Sequence, residues 1–337
     1  MRSLASGLTL VALMALALAA CKGGTAGPTP TVVPSPTPTP TPQPPTPTPA
    51  PTEPVPGVAL PELPEVESLD YLTYDVEVPP LPPFAPRVDD PALAAAIQKA
   101  IAGYEGTYSV VVRNLEDGRT ASLDGSRIYD AASLYKMALL LEAYRQRDAG
   151  EIDFSELLTL TEEYVAYDFG TLGPLGLEQG DSLTVADALK AMIIVSDTPT
   201  AVMIQDVVNP ARVDATLRSL GLVDMSVTVY ELPTTARDMV LLMEAVASGA
   251  GVTEESRREM LALLLQESVR DRIPAGVPPE TAVAHKTGNL NEVTHDVALV
   301  WGPGGPYVIA VLTDRFYETT DIANLSTVVW DYFAKNP

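Results

Sequence analysis

Ser133 and Lys136 stand three residues apart in Ser133-Leu134-Tyr135-Lys136, at the head of the apolar run Met137-Ala138-Leu139-Leu140-Leu141. That run reads as a buried helix, and residues three apart share one helix face. A serine hydroxyl is a weak nucleophile until a neighbouring base takes its proton. A lysine amine is such a base when burial and a nearby positive charge lower its pKa. Farther along stand Ser196-Asp197-Thr198, after the apolar helical run Val185–Val195, and Lys286-Thr287-Gly288, between strand-like segments. Lys286 is a source of the positive charge that Lys136 needs. Serine, lysines and a second serine together can perform acyl transfer: attack of a hydroxyl on a carbonyl, with amine and hydroxyl groups moving the proton.

These residues need a scaffold, and the patterning supplies one. Asp90 to Ile101 has helical spacing through Leu93, Ala94, Ile97 and Ile101. Tyr108–Arg113 is strand-like, Asp117-Gly118 signals a tight hairpin, and Thr120–Leu123 returns as a strand. Asp130 is placed to cap the helix of Ser133, which would aim amide dipoles at the nucleophile. Leu157–Val208 reads as largely helical, with loops around Gly170-Thr171-Leu172-Gly173-Pro174. Asn209-Pro210 opens a further helix through Leu220. Helices are predicted at Ala236–Ala247, Glu254–Gln266 and about Thr320–Phe333, and strands at Ala282–Lys286, Val293–Trp301 and Tyr307–Thr313. Strands at both ends with helices between predict an α+β fold. One antiparallel sheet is assembled from separated segments and flanked by helices, beside an all-helical lobe, with the site between them.

The first quarter of the chain has a different character. Met1–Ala20 carries one basic residue, Arg2, and an apolar stretch from Leu8, which reads as an export signal. It ends Leu18-Ala19-Ala20-Cys21, which resembles a bacterial lipoprotein cleavage site, and Cys21 is the only cysteine. The resemblance implies that Cys21 becomes a lipidated first residue, anchored stably by several acyl chains. Gly27–Pro56 is mostly proline and threonine, a composition for extended polyproline II. At about 3.1 Å per residue, roughly thirty residues reach on the order of 90 Å. Gly57–Pro86 adds Leu, Tyr, Phe and acids, as a strap lying on a folded domain would. The expected division is signal 1–21, linker 22–86 and folded domain 87–337, in an exported chain held on the outer face of the bacterial membrane or in the periplasm.

The formal net charge of −23, with acids scattered rather than clustered, argues against nucleic acid as a partner. Two histidines and Cys21 do not make the usual zinc site, and no glycine-rich phosphate loop occurs. No cofactor or metal is expected. His285 and His295 read as ordinary strand residues, since no Gly-x-Ser-x-Gly elbow is present and Ser133 already has a lysine. Some 250 residues suffice for one large core or two intimate lobes, and a monomer is expected.

The three elements, in this order and 63 and 90 residues apart, resemble the active-site-serine family of class A β-lactamases and penicillin-binding proteins. Gly180–Val185, Thr234-Thr235-Ala236-Arg237-Asp238 and the closing strands are similar too, so the resemblance spans roughly Asp90–Phe333. It implies that Ser133 attacks a strained or activated amide carbonyl, that Lys136 is its base, and that Ser196 passes a proton to the leaving nitrogen. It implies also that Lys286 and Thr287 meet a substrate carboxylate, and that Gly288 lets the substrate lie against its strand. The backbone N–H groups of Ser133 and Asn289 would form the oxyanion hole.

Two departures bear on substrate and turnover. Thr198 offers one hydroxyl where the family has an asparagine carbonyl and amide, which affects contacts to a substrate amide and to Lys136. Between Gly221 and Thr234 there is no room for the long loop whose glutamate deacylates class A enzymes. The one glutamate there, Glu231, is either a stand-in base or a solvated loop charge. Three functions follow from the resemblance: cleavage of β-lactam amides through a Ser133 acyl-enzyme; a D-Ala-D-Ala peptidase acting on peptidoglycan stem peptides, with a long-lived acyl-enzyme; or a surface binding module that keeps the fold without turnover.

Overall fold

The structure, a computed structural model, describes Ser68–Pro337 apart from Asn291. The export signal, Cys21 and the Pro/Thr stretch Gly27–Pro56 lie outside the described residues. In chain order the elements are β1 (Val88–Asp89), α1 (Pro91–Ile101), β2 (Tyr108–Asn114), β3 (Arg119–Leu123) and β4 (Tyr129–Asp130). A 3-10 turn, Ala132–Tyr135, then runs directly into α2 (Lys136–Asp148). Next come β5 (Leu157–Thr159), α3 (Glu162–Val165), α4 (Leu172–Leu175), β6 (Ser182–Thr184), α5 (Val185–Ile194), α6 (Thr198–Val208) and α7 (Pro210–Ser219). β7 (Pro233–Thr234), α8 (Ala236–Ser248) and α9 (Glu254–Leu265) lead to another 3-10 turn, Ile273–Gly276. β8 (Val283–Leu290), β9 (Val293–Gly302), β10 (Gly305–Thr313) and α10 (Thr319–Lys335) close the chain.

Six strands form one sheet in the order β1-β3-β2-β10-β9-β8, so N- and C-terminal segments interleave as expected. All its pairs are antiparallel except β1 with β3, which is parallel. The sheet is therefore mixed at one edge. Two residues are too few for a strand's alternation to be read in sequence.

Both faces of the sheet are covered, which is why its central strands read as continuous apolar runs. On β10, Val308, Ala310 and Leu312 face the helical lobe, while Tyr307, Ile309 and Val311 face α1 and α10 with Leu93, Ile97, Leu325 and Phe333. The lobe packs around α2, which is buried from Lys136 through Tyr144 on every side. Leu157–Val208 is not continuous helix, because β5 pairs with β6; three-residue strands give no usable period. β8 runs on to Leu290 rather than ending at Lys286. The Lys-Thr-Gly triplet thus lies within a strand, and its glycine is not a turn.

The proline-rich stretch before β1 is described from Ser68 and lies along the domain. Leu69 is 1% exposed, and Val76, Val78, Leu81 and Phe84 pack on the main core. Tyr71 Oη donates to Leu175 O (2.9 Å), Tyr74 N to Gln266 Oε1 (2.8 Å), Trp301 Nε1 to Pro80 O (3.2 Å) and Arg113 Nη2 to Ala85 O (2.7 Å).

Candidate active site

Ser133 sits in the 3-10 turn ahead of α2 and is half-buried. Its neighbour Ala132 has φ +45°, a left-handed conformation costly for a residue with a Cβ. Three contacts hold the turn there. Asp130 Oδ1 accepts from Ala132 N at 2.8 Å, Ala131 N donates to Leu232 O at 2.8 Å, and β4 pairs with β7. Leu232 has φ +42° and Ser196 has φ +58°, so three of the six positive-φ non-glycine residues among those described surround one spot. Strain concentrated in this way marks a site whose geometry is imposed by its surroundings.

Lys136 lies one helical turn beyond Ser133 and is fully buried. Its Nζ donates to Ser196 O at 2.6 Å, and lies 3.4 Å from Ser196 Oγ and 3.3 Å from Thr198 Oγ1. Its hydrogen bonds thus go to the second serine and not to Ser133, although the sequence places both on one face. The threonine hydroxyl also retains a contact to Lys136 where an asparagine would supply one. Burial first, and the Lys286 charge second, bring the Lys136 amine down to about 7, against the opposing pull of Asp197 and Glu267. Asp197 caps α6 through Thr200 N (2.8 Å) and accepts from the Thr171 hydroxyl, which anchors the Ser196 turn.

Across the cleft runs β8. A Cβ added to Gly288 would lie 2.9 Å from Ala131 O and 3.1 Å from Leu134 Cγ. The glycine is therefore required by the close approach of the strand to the Ser133 turn. This approach brings Asn289 to the same end of the cleft, where its side chain is exposed and its Oδ1 accepts from Arg272 Nη2 at 2.9 Å. Lys286 and Thr287 are buried behind that edge, and both donate to Glu267: Lys286 Nζ at 3.0 Å and Thr287 Oγ1 at 2.6 Å.

The two histidines are strand residues with structural partners. His295 Nε2 lies 2.9 Å from Asp130 O, which ties β9 to the Ser133 turn, and its Nδ1 lies 2.8 Å from Thr294 O and 3.3 Å from Thr313 N. Burial brings its pKa down to about 4, which favours the neutral ring. His285 Nδ1 lies between Glu267 Oε2 (3.1 Å) and Asp296 Oδ1 (3.2 Å). Glu231, next to Leu232 whose carbonyl holds the Ser133 turn, is exposed and makes no side-chain hydrogen bond among the described residues. It is near enough to Asp130 that its charge, after burial, raises the Asp130 carboxyl.

Glu267 and Arg272 were missed in the sequence. Both fall in Glu267-Ser268-Val269-Arg270-Asp271-Arg272, a polar segment between helix and strand that reads as a solvated loop. Yet Glu267 is 1% exposed and Arg272 is fully buried, with Nη1 donating to His295 O at 2.7 Å. No local signal separates such charges from surface ones.

A two-lobed α+β fold with Ser-x-x-Lys on a buried helix, a serine turn beneath it and Lys-Thr-Gly on an edge strand defines the class A β-lactamase-like architecture. The model of the β-lactamase enzyme family matches residues 92–333, and the chain belongs to that family. No curated protein matches the sequence. Among solved structures, that of PBP-A is 24% identical, with a TM-score of 0.70, covering 75% of this chain and 99% of that one. A variant of PBP-A, solved as its acyl-enzyme complex with penicillin G, is 25% identical, with a TM-score of 0.69 and coverage of 74% and 99%. A β-lactamase from Sphaerobacter thermophilus is 27% identical, with a TM-score of 0.63 and coverage of 72% and 96%.

Proposed function

We propose that this serine β-lactamase-like protein is an enzyme that opens β-lactam amides through an acyl-enzyme on Ser133. The observation that carries the reading is the Lys136 amine, buried, hydrogen-bonded to Ser196 and Thr198 and lowered to about 7. In its neutral form it takes the Ser133 proton as the hydroxyl attacks, directly or through Ser196 Oγ. Ser196 then delivers a proton to the departing lactam nitrogen. The backbone N–H groups of Ser133 and Asn289 receive the developing oxyanion. Lys286 and Thr287 attract the substrate carboxylate, and Thr198 contacts the substrate side chain. The penicillin G adduct of the PBP-A variant supports a β-lactam as ligand.

Turnover is the finer question, and Glu231 favours a slow second step. Exposed and unbonded, it is not held as a water-activating base, so the acyl group persists. That is the behaviour of a penicillin-binding protein, whose natural substrate would be a D-Ala-D-Ala stem peptide. An exported monomer, lipidated at Cys21 and spaced from the membrane by the Pro/Thr linker, would meet either substrate outside the cell. The test is intact mass against time after mixing the chain with penicillin G, with Ser133→Ala beside it. An adduct lasting hours supports the reading. One that forms and vanishes within minutes as penicillin is consumed makes the protein an efficient β-lactamase. No adduct overturns the acylation reading.

A further inference from the structure

Glu267 follows the C-terminus of α9 and lies beside β8, the edge strand of the sheet. Its carboxylate is shared by three consecutive side chains of that strand. Oε1 accepts from Lys286 Nζ and Thr287 Oγ1, and Oε2 faces His285 Nδ1. The same imidazole nitrogen faces Asp296 on β9, whose Oδ2 accepts from Ile273 N at 3.0 Å. One ring nitrogen is shared between two buried carboxyl groups, an arrangement that favours a proton on one of them. Burial raises Asp296. It acts on Glu267 the same way, but there Lys286, His285 and Thr287 outweigh it and hold the carboxyl below its usual range. Glu267 is thus the negative charge that faces Lys286.

We propose that Glu267 is a positioning residue of the site: its carboxylate holds the Lys286 ammonium and the Thr287 hydroxyl and sets the charge that Lys136 experiences. The catalytic meaning of this inference rests on the Ser133 reading above; its first test does not. The charged groups acting on Lys136 are Lys286 from β8, Asp197 from the turn before α6 and Glu267 from behind α9. Those around Glu267 are Lys286 and His285 from β8 and Asp296 from β9, with Arg272 acting on Asp296. Thr287 has one hydroxyl hydrogen, and it points to Glu267, so the hydroxyl turns its lone pairs elsewhere. A substrate carboxylate therefore gains less from this pair than from free donors.

The first test follows the lysine side chains of the full chain by NMR, with 13C at Cε, in the wild type and in Glu267→Gln and Glu267→Asp. The chain has six lysines, few enough to resolve. The Glu267 charge acts to raise the Lys136 amine, so removing it must lower the Lys136 midpoint, by about half a pH unit or more. Glu267→Asp, which keeps the charge, restores most of the shift. Midpoints unmoved in a folded Glu267→Gln protein overturn the proposal. Should that variant not fold, the wild type decides through its rates of acylation by a penicillin and by the methyl ester of that penicillin. A ratio below about tenfold is expected for donors already held by Glu267, and a ratio of about a hundredfold or more overturns the proposal. Absence of any adduct would sink the Ser133 reading alone, and the lysine titration would still decide the role of Glu267.

Discussion

The two walls of the cleft are built by different physics. On the β8 side, Lys286, Thr287, His285 and Asp296, from regular strands, and Glu267, from the segment after α9, are buried and joined by hydrogen bonds and ion pairs. On the helical side, Ser133, Ser196 and Leu232 are partly exposed and sit in or beside left-handed backbone turns. One wall stores its specificity in side-chain charge, the other in backbone conformation. Damage to the first should therefore register mainly as lost stability and shifted titration. Damage to the second should register mainly as lost chemistry.

The largest effect expected is on the helical wall. Ser133→Ala should abolish penicillin adducts, a drop of at least about a thousandfold in acylation, with a near-unchanged melting temperature. Intact mass and thermal unfolding would check the two halves of that statement, and a persistent adduct would show that another residue is the nucleophile. On the opposite wall, Lys286→Ala leaves the Glu267 charge buried without its ammonium partner, with only Thr287 and His285 beside it. It should cost about 3–5 kcal/mol in denaturant unfolding, and a loss under 1 kcal/mol would mean that the pair does not hold this wall together. Gly288→Ala couples the walls, since its Cβ meets Ala131 O. We expect about 1–3 kcal/mol of destabilisation together with at least tenfold slower acylation.

A milder probe is pH. The Lys136 base must be neutral, and burial with the Lys286 charge brings it to about 7. Acylation should therefore rise with pH up to about 7 and level off above it. A rate flat from pH 5 to 9 would remove Lys136 from the role. The smallest effect is predicted for Glu231→Gln, which should leave adduct lifetime within about twofold because the side chain is exposed and unbonded. A lifetime lengthened tenfold would identify Glu231 as the deacylating base.

Much of this was legible in the sequence because it is local. The Ser133–Lys136 spacing, the Asn209-Pro210 start of α7 and the apolar central strands all rest on neighbours a few residues apart, and so does the hairpin at Asp117-Gly118. What escaped depends on residues distant in the chain. Glu267 looks solvated until β8 is laid against it, and nothing beside Gly288 in the sequence shows that Ala131 O stands 2.9 Å from its missing Cβ. The left-handed φ of Ala132, Ser196 and Leu232 has no sequence signal, because none of these is a residue type that favours it. The parallel edge strand β1 and the β5–β6 pair were too short to be read at all.

The strap that crosses the domain from Ser68 to Pro86 has a mechanical consequence. It meets the helical lobe first, through Leu69 and Tyr71, then the end of α9 through Tyr74, then Trp301 on β9, and only afterwards continues into β1. Tension on the chain ahead of Ser68 would have to peel these contacts one after another before it reached the sheet. A pull arriving at Ser68 would therefore be spent on these contacts in series before it reached the sheet, and loss of the strap's side-chain anchors, with the chain intact, would pass that load directly to the sheet's edge.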